Sequence, residues 1–267
     1  MFCSMRFYID KTTSLPNIQK TYAIISMIKD ELKLPCNWIE YSLLDPDKDF
    51  AYYHHDVKPW DDKECPFSGL PEQTQLQGKD GDASSVIISA ADSFPDNQLF
   101  DESRIIVWYP QNSAVSLTIK ADYKIRKENR SFVEPYKTII LYLYTHGLPV
   151  NNSFIHIYQH RNEASILDGG QIGSWISPQS KSILKHYVDH SRVYHLNHIM
   201  DVFCANSIQR HLVSEETIEK LVAIIGSDHV WTIEDSIVFS LPDLEHTASA
   251  YRITHYPLIN KIRELLI

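Results

Sequence analysis

The stretch Thr138–Tyr144, with the sequence T-I-I-L-Y-L-Y, places the tightest constraint on the fold of this chain. It carries no charge and is rich in β-branched and aromatic residues, which is typical of a buried strand. Two further apolar runs, Val86–Ser89 and Arg104–Tyr109, also predict strands. Apolar residues at helical spacing predict a helix over Asn17–Leu32. Strands that alternate with helices favour an α/β fold with a mostly parallel sheet.

The segment 45–84 is the least regular part of the sequence, because it is rich in aspartate, proline, glycine and glutamine. This composition indicates loops or a domain boundary. We therefore predict an N-terminal segment or subdomain over residues 1–84 and the main α/β domain over residues 85–267.

Within the main domain, caps and apolar spacing predict helices that begin at Ser177-Pro178 and at Ser214, and a terminal helix over Pro257–Leu266. The segment His195–Phe203 fits both a strand and one face of a helix.

Charge and composition narrow the classes of partner. The formal net charge is -9, and lysine and arginine form no basic block, which argues against binding to nucleic acid. No apolar run approaches the roughly 20 residues that span a bilayer, and no signal peptide is visible. The four cysteines form no C-x-x-C pair, which favours reduced thiols. We expect a cytoplasmic protein with no membrane or nucleic-acid partner, although secretion without a cleavable signal stays open.

Two apolar runs of the main domain are each followed by a residue that could take part in catalysis. Thr138–Tyr144 leads into His146-Gly147, and the stretch around Ile199–Phe203 leads into Cys204. In an open α/β sheet, functional side chains gather at the carboxyl ends of strands. A thiol nucleophile beside an imidazole base is the arrangement of a cysteine hydrolase. The backbone amides of Gly147 and Cys204 are the natural donors for an oxyanion hole.

The order of these residues resembles the caspase-like cysteine peptidases, the group that includes caspases, legumain, gingipains, separase and toxin-autoprocessing domains. The resemblance is carried by Tyr144-Thr145-His146-Gly147, by Met200–Ser207, and by the helix start at Ser177-Pro178 between them. It extends from about Val86 to the C-terminus. It implies a caspase-like three-layer sandwich with a mostly parallel sheet, preceded by an N-terminal extension.

The same resemblance implies an activity. Cys204 would attack a peptide carbonyl, and His146 would act first as base and then as acid to the leaving amine. Asp201 and Asp168 are the candidates for an acid that orients the histidine, and Leu221–Ser227 would form the strand beside the specificity pocket. The expected partner is a protein or peptide substrate, with self-cleavage or an activating ligand as further options, and no cofactor or metal is needed.

Two alternatives stay open. The first is a non-catalytic α/β interaction protein in which His146 and Cys204 point into the core. The second is a metal-dependent hydrolase, because paired histidines on one helix face can bind a metal. The pair His186/His190 lies on a predicted helix, but the sequence lacks the glutamate of an H-E-x-x-H motif. The other groups are His54-His55-Asp56, His156/His160 and His195/His198.

Overall fold

The structure, a computed structural model, describes residues 2–9, 18–44, 52–67, 85–92, 103–109, 115–122, 132–158, 202–242 and 256–266. In chain order, the strands and α-helices of these residues are β1 (Phe2–Ile9), α1 (Ile18–Leu32), β2 (Trp38–Leu44), β3 (Tyr52–Pro59), β4 (Ser85–Ala91), β5 (Arg104–Tyr109), β6 (Val115–Asp122), α2 (Val133–Thr145), β7 (Val150–Tyr158), β8 (Ala205–Gln209), α3 (Glu215–Ile225), β9 (Val230–Ile233), β10 (Ser236–Ser240) and α4 (Tyr256–Leu266). The chain forms two compact units, residues 1–7 with 122–267 and residues 8–121.

In the unit of residues 8–121, the strands follow the order β3, β2, β4, β5 and β6, and each neighbouring pair is antiparallel. Side chains alternate across the sheet, so that one face is apolar and includes Ile39, Ile88 and Ile105, all of them buried. Helix α1 contacts β5 and buries Ile25 and Ile28. The predicted boundary between residues 84 and 85 lies within this unit, just before β4, which pairs with β2.

The opposite face of this sheet contains a buried polar cluster. The carboxylate of Glu40 accepts hydrogen bonds from Ser42 Oγ (2.9 Å) and Ser89 Oγ (2.7 Å). The guanidinium of Arg104 lies 3.7 Å from the same carboxylate. A one-residue slip of β2 would move Glu40 to the apolar face, so the cluster favours the observed register.

The unit of residues 1–7 and 122–267 contains the strands β1, β7, β8, β10 and β9 in that order. β8 lies between β7 and β10 and is antiparallel to both, and β10 is antiparallel to β9. Helix α2 packs against β7 and β9, and α3 packs against α4. The apolar faces of α3 and α4 join a core that includes Val202, Ile208, Leu221, Ile225, Ile237, Phe239, Leu241, Ile259 and Ile262.

The predicted mostly parallel, caspase-like sandwich is wrong. Every strand pair whose register is defined runs antiparallel. Short connections explain part of the difference, since antiparallel strands can be joined by a tight hairpin and parallel strands cannot. β9 and β10 are joined by Glu234-Asp235 alone, with Glu234 at a φ of 48°. The segment 45–84 also contains β3, whose sequence Y-Y-H-H-D-V-K-P lacks the usual alternation.

The predicted strand Thr138–Tyr144 is wrong as well, because these residues belong to helix α2. Its buried residues include Tyr136, Ile139, Ile140 and Leu143, which recur at the spacing of one helix face. The helical period outweighs the strand preference of the β-branched isoleucines, since packing decides over intrinsic propensity.

Three of the other helix predictions are confirmed. The helices over Asn17–Leu32 and Pro257–Leu266 are confirmed as α1 and α4, within one residue at their starts. Ser214 caps α3, where its Oγ accepts a hydrogen bond from the Thr217 N–H at 3.1 Å. The strand expected over Leu221–Ser227 is wrong, because α3 runs to Ile225. The helix expected at Ser177-Pro178 lies outside the described residues.

None of the helices in the described residues is long and apolar enough to cross a membrane.

Candidate functional site

Gly147, a predicted oxyanion donor, is the second residue after helix α2, which ends at Thr145. It has a φ of +72°, in the left-handed region that glycine enters at low cost. Its N–H donates to the carbonyl of Tyr144 at 2.9 Å, and the Leu148 N–H donates to the carbonyl of Leu143 at 2.9 Å. These two bonds form a Schellman motif, the common way to close a helix. The amide of Gly147 is therefore already engaged in the fold.

His146 is the C-cap residue of α2 and is exposed. Its ring stacks on Tyr142 with a centroid distance of 3.9 Å. Its Nδ1–H donates to the Tyr142 carbonyl at 2.8 Å. A histidine side chain often donates a hydrogen bond to one of the last carbonyls of a helix. These contacts therefore give His146 a structural role at the end of α2.

Cys204 lies just before β8 and is only 3% exposed. Its N–H donates to the Ile155 carbonyl at 3.1 Å, and its carbonyl accepts from the Leu241 N–H at 2.8 Å. The second predicted oxyanion donor is thus also engaged in backbone hydrogen bonds. A buried cysteine outside a disulfide packs as a small apolar residue.

The structure does not bring His146 and Cys204 together. Helix α2 ends near the start of β7, where the Tyr144 hydroxyl contacts the carbonyl of Val150. Cys204 is bonded instead to Ile155, five residues along the same strand. At the usual rise of a strand, these two points are about 17 Å apart. The predicted orienting acids Asp201 and Asp168 lie outside the described residues. Peptide hydrolysis stays a prediction of the sequence, and the described geometry gives it no support.

The histidine groups bring no metal site together in the described part of the chain. His156 is buried in β7, with its ring edge toward Phe203 at 5.7 Å between centroids. His54 and His55 belong to β3. The remaining members of the predicted pairs lie outside the described residues, namely His160, His186, His190, His195 and His198.

All four cysteines are buried, and none of them forms a disulfide. The thiolate is the reactive form, and it must be accessible to react. Burial raises the pKa of the Cys36 thiol to about 12, which adds to its protection. We expect that native protein shows no thiol that reacts rapidly with Ellman's reagent at pH 8, whereas protein in guanidinium chloride shows all four. A single fast thiol in native protein, absent from Cys204→Ala, would instead indicate a catalytic cysteine.

A cleft of about 530 Å³ lies in the unit that contains residues 122–267. Three parts of the chain form it: the end of α2 with the entry to β7, the segment between β8 and α3, and the β9–β10 turn. The lining residues are Tyr144, Pro149, Gln209, Arg210, His211, Val213, Glu215 and Asp235.

Hydrogen bonds hold the walls of this cleft in place. The hydroxyl of Tyr144 donates to the Val150 carbonyl at 3.2 Å and lies 2.9 Å from Ser236 Oγ. The Arg210 N–H donates to the carbonyl of Asp235 at 2.7 Å, which joins the β8–α3 segment to the β9–β10 turn. Because each wall is tied to another, the cleft is formed before any ligand binds.

The two charged side chains Arg210 and Asp235 of the cleft differ in their ion pairs. The guanidinium of Arg210 forms an ion pair with the carboxylate of Glu215. The carboxylate of Asp235 forms no ion pair with any of the residues that the structure describes. Burial raises the pKa of the Tyr144 phenol, the hydrogen bond with Ser236 opposes this, and the negative charges of Asp235 and Glu234 add to the rise. The cleft therefore carries a negative field at neutral pH.

Leu212 lies in the short 3₁₀ helix Arg210–Leu212 between two lining residues, and it is 36% exposed. It is thus an exposed apolar side chain next in the chain to the lining residues His211 and Val213. Sequence reasoning missed these residues. The one available sign was the polar stretch before the Ser214 cap, which indicates a surface turn.

No protein-family profile matches the sequence, and no curated protein matches it. Among solved structures, the chain is similar to the Pseudomonas aeruginosa T6SS protein PA0821, with a TM-score of 0.51 and 9% sequence identity. The match covers 100% of this chain and 73% of that chain. At this identity, the similarity shows a shared fold and nothing about shared functional residues.

Proposed function

We propose that this chain is a non-catalytic binding protein that holds a protein partner at the cleft beside Leu212. The observation that carries the proposal is the cleft itself, whose walls are fixed by hydrogen bonds between its three chain segments. His146 and Cys204, in contrast, are engaged in helix capping and core packing.

The composition of the cleft supports a protein partner. Tyrosine and arginine are enriched among the residues that dominate binding energy at protein interfaces, and they act from well-packed positions. Tyr144 and Arg210 line this cleft, and the exposed Leu212 lies between the lining residues His211 and Val213 in the chain. A preformed cleft also avoids part of the entropy that a mobile surface loses on binding.

The setting of this activity is part of the proposal. The fold is similar to that of a T6SS protein, which makes components of such a system the first class of partner to examine. The lack of disulfides among the four cysteines supports a reducing compartment, and we propose the cytoplasm.

A photo-crosslinking amino acid at His211 tests the proposal in cells that make the protein. His211 lines the cleft and is exposed, whereas Lys220 is exposed on α3 and is absent from the cleft lining. We expect a discrete protein adduct from position 211 and none from position 220. Leu212→Glu should lower the yield from position 211 about tenfold, as expected at a binding hot spot. Glu219→Lys, the control on α3, should not.

The result that would overturn the proposal is equally specific. Equal yields from positions 211 and 220, or no adduct from position 211, would show that the cleft does not hold a protein. Leu212 and Glu219 are both exposed, so neither substitution should prevent folding, and circular dichroism checks this.

A further inference from the structure

We infer that the cleft receives the side chain of a lysine or arginine of the partner protein, with the Asp235 carboxylate as its counter-ion. This inference rests on the proposed function and adds the chemistry of the group that enters the cleft.

The charge balance of the lining favours a cation. Among the described residues that line the cleft, Arg210 is the one lysine or arginine, and its guanidinium is paired with Glu215. Asp235 then supplies a carboxylate without an ion pair among the described residues. The exposed carboxylate of Asp235 can form a charge-assisted hydrogen bond with an entering ammonium or guanidinium, which is stronger than a neutral hydrogen bond.

The β9–β10 turn brings a second carboxylate, that of Glu234, next to Asp235. Burial raises the pKa of the half-buried Tyr144 phenol, and the charges of Asp235 and Glu234 add to the rise. Glu234 thus adds to the field at the same wall. An anionic group entering here would meet two carboxylates while Arg210 is occupied, so an anion is the disfavoured ligand.

The charge of the whole chain points the same way. A net charge of -9 attracts a basic protein at long range and raises the rate of encounter. The cleft of about 530 Å³ lies within the usual size range of a ligand pocket, so a long aliphatic stem ending in a charge fits inside it.

The test uses short capped peptides and ¹H–¹⁵N spectra of the full chain. The probes are Ac-Gly-Lys-Gly-NH₂ and Ac-Gly-Arg-Gly-NH₂, with the glutamate and norleucine peptides as controls for charge and for apolar stem. At millimolar concentration, the basic peptides should shift the amides of Gln209, Arg210 and Asp235, and the control peptides should not. Asp235→Asn should weaken the binding about tenfold, because a charge-assisted hydrogen bond becomes a neutral one. Glu219→Gln, the matched change on α3, should leave it unaltered.

Preferential binding of the glutamate peptide would overturn the inference and indicate an anion site at Arg210. Equal shifts from all four peptides, no shift from the basic peptides, or unaltered affinity in Asp235→Asn would also overturn it. These failures are distinct from failure of the proposed function, because a specific adduct from position 211 would still show that the cleft holds a protein.

Discussion

Replacing Ile140 by alanine should lower the free energy of unfolding by about 2–5 kcal/mol, the usual cost of removing a buried isoleucine side chain. Ile139→Ala should cost a similar amount, because Ile139 and Ile140 are both 0% exposed. Leu141→Ala should change the free energy by less than about 0.5 kcal/mol, as expected on a surface, because Leu141 is 44% exposed.

This series separates a helix from a strand over the same residues. A helix can bury two successive side chains and expose the third, since successive residues are turned by about 100°. In a strand buried on both faces, all three substitutions would be costly. Urea unfolding followed by circular dichroism measures the three values, and a loss at Leu141 as large as the loss at Ile140 would contradict the assignment of α2.

Tyr136→Ala should lower the free energy of unfolding by about 3–5 kcal/mol, the range for removing a large buried ring. Tyr136 is fully buried between α2 and the sheet, and its ring lies 5.4 Å from that of Phe7. Its hydroxyl is 2.6 Å from Ser153 Oγ, which is 2.5 Å from Ser207 Oγ. The conservative change Tyr136→Phe should cost only about 1 kcal/mol, since it removes one hydrogen bond and keeps the ring.

The same phenol gives stability a pH dependence of known sign. Burial raises the pKa of Tyr136, while the hydrogen bonds of Ser153 and Ser207 lower it by less. The unfolded phenol ionises near pH 10, so above this pH the native state holds more protons than the unfolded state. Stability should therefore be complete below about pH 10 and decrease as the pH rises further. Urea titrations should show a smaller alkaline loss in Tyr136→Phe, and an identical loss in both proteins would contradict this account.

Helices that are determined by residues close together in the chain can be predicted from the sequence. Ser214 caps α3 through its own side chain, and α1 and α4 show their apolar spacing directly. The strand predicted over Thr138–Tyr144 is wrong because the isoleucines of this stretch favour strands. The buried residues Tyr136, Ile139, Ile140 and Leu143 nevertheless follow the helical period. Antiparallel pairs such as β2–β4 and β7–β8 join segments that are far apart in the chain, so no local pattern encodes their direction.

The cleft could not be predicted from the sequence either, because distant segments of the chain form it. Its walls come from the α2–β7 junction, the β8–α3 segment and the β9–β10 turn. None of these segments carries a motif, so the lining residues become a site only when the chain folds. His146-Gly147 shows the reverse case, in which a short sequence resembles a catalytic motif and the fold uses it to end a helix.

We propose that the chain acts by binding at the cleft and not through His146 and Cys204. The yield of the partner adduct from the crosslinker at His211 tests this claim most directly. The double variant His146→Ala/Cys204→Ala should keep the wild-type yield, whereas Leu212→Glu should lower it about tenfold. Loss of the adduct in the folded double variant, together with its retention in Leu212→Glu, would contradict the account.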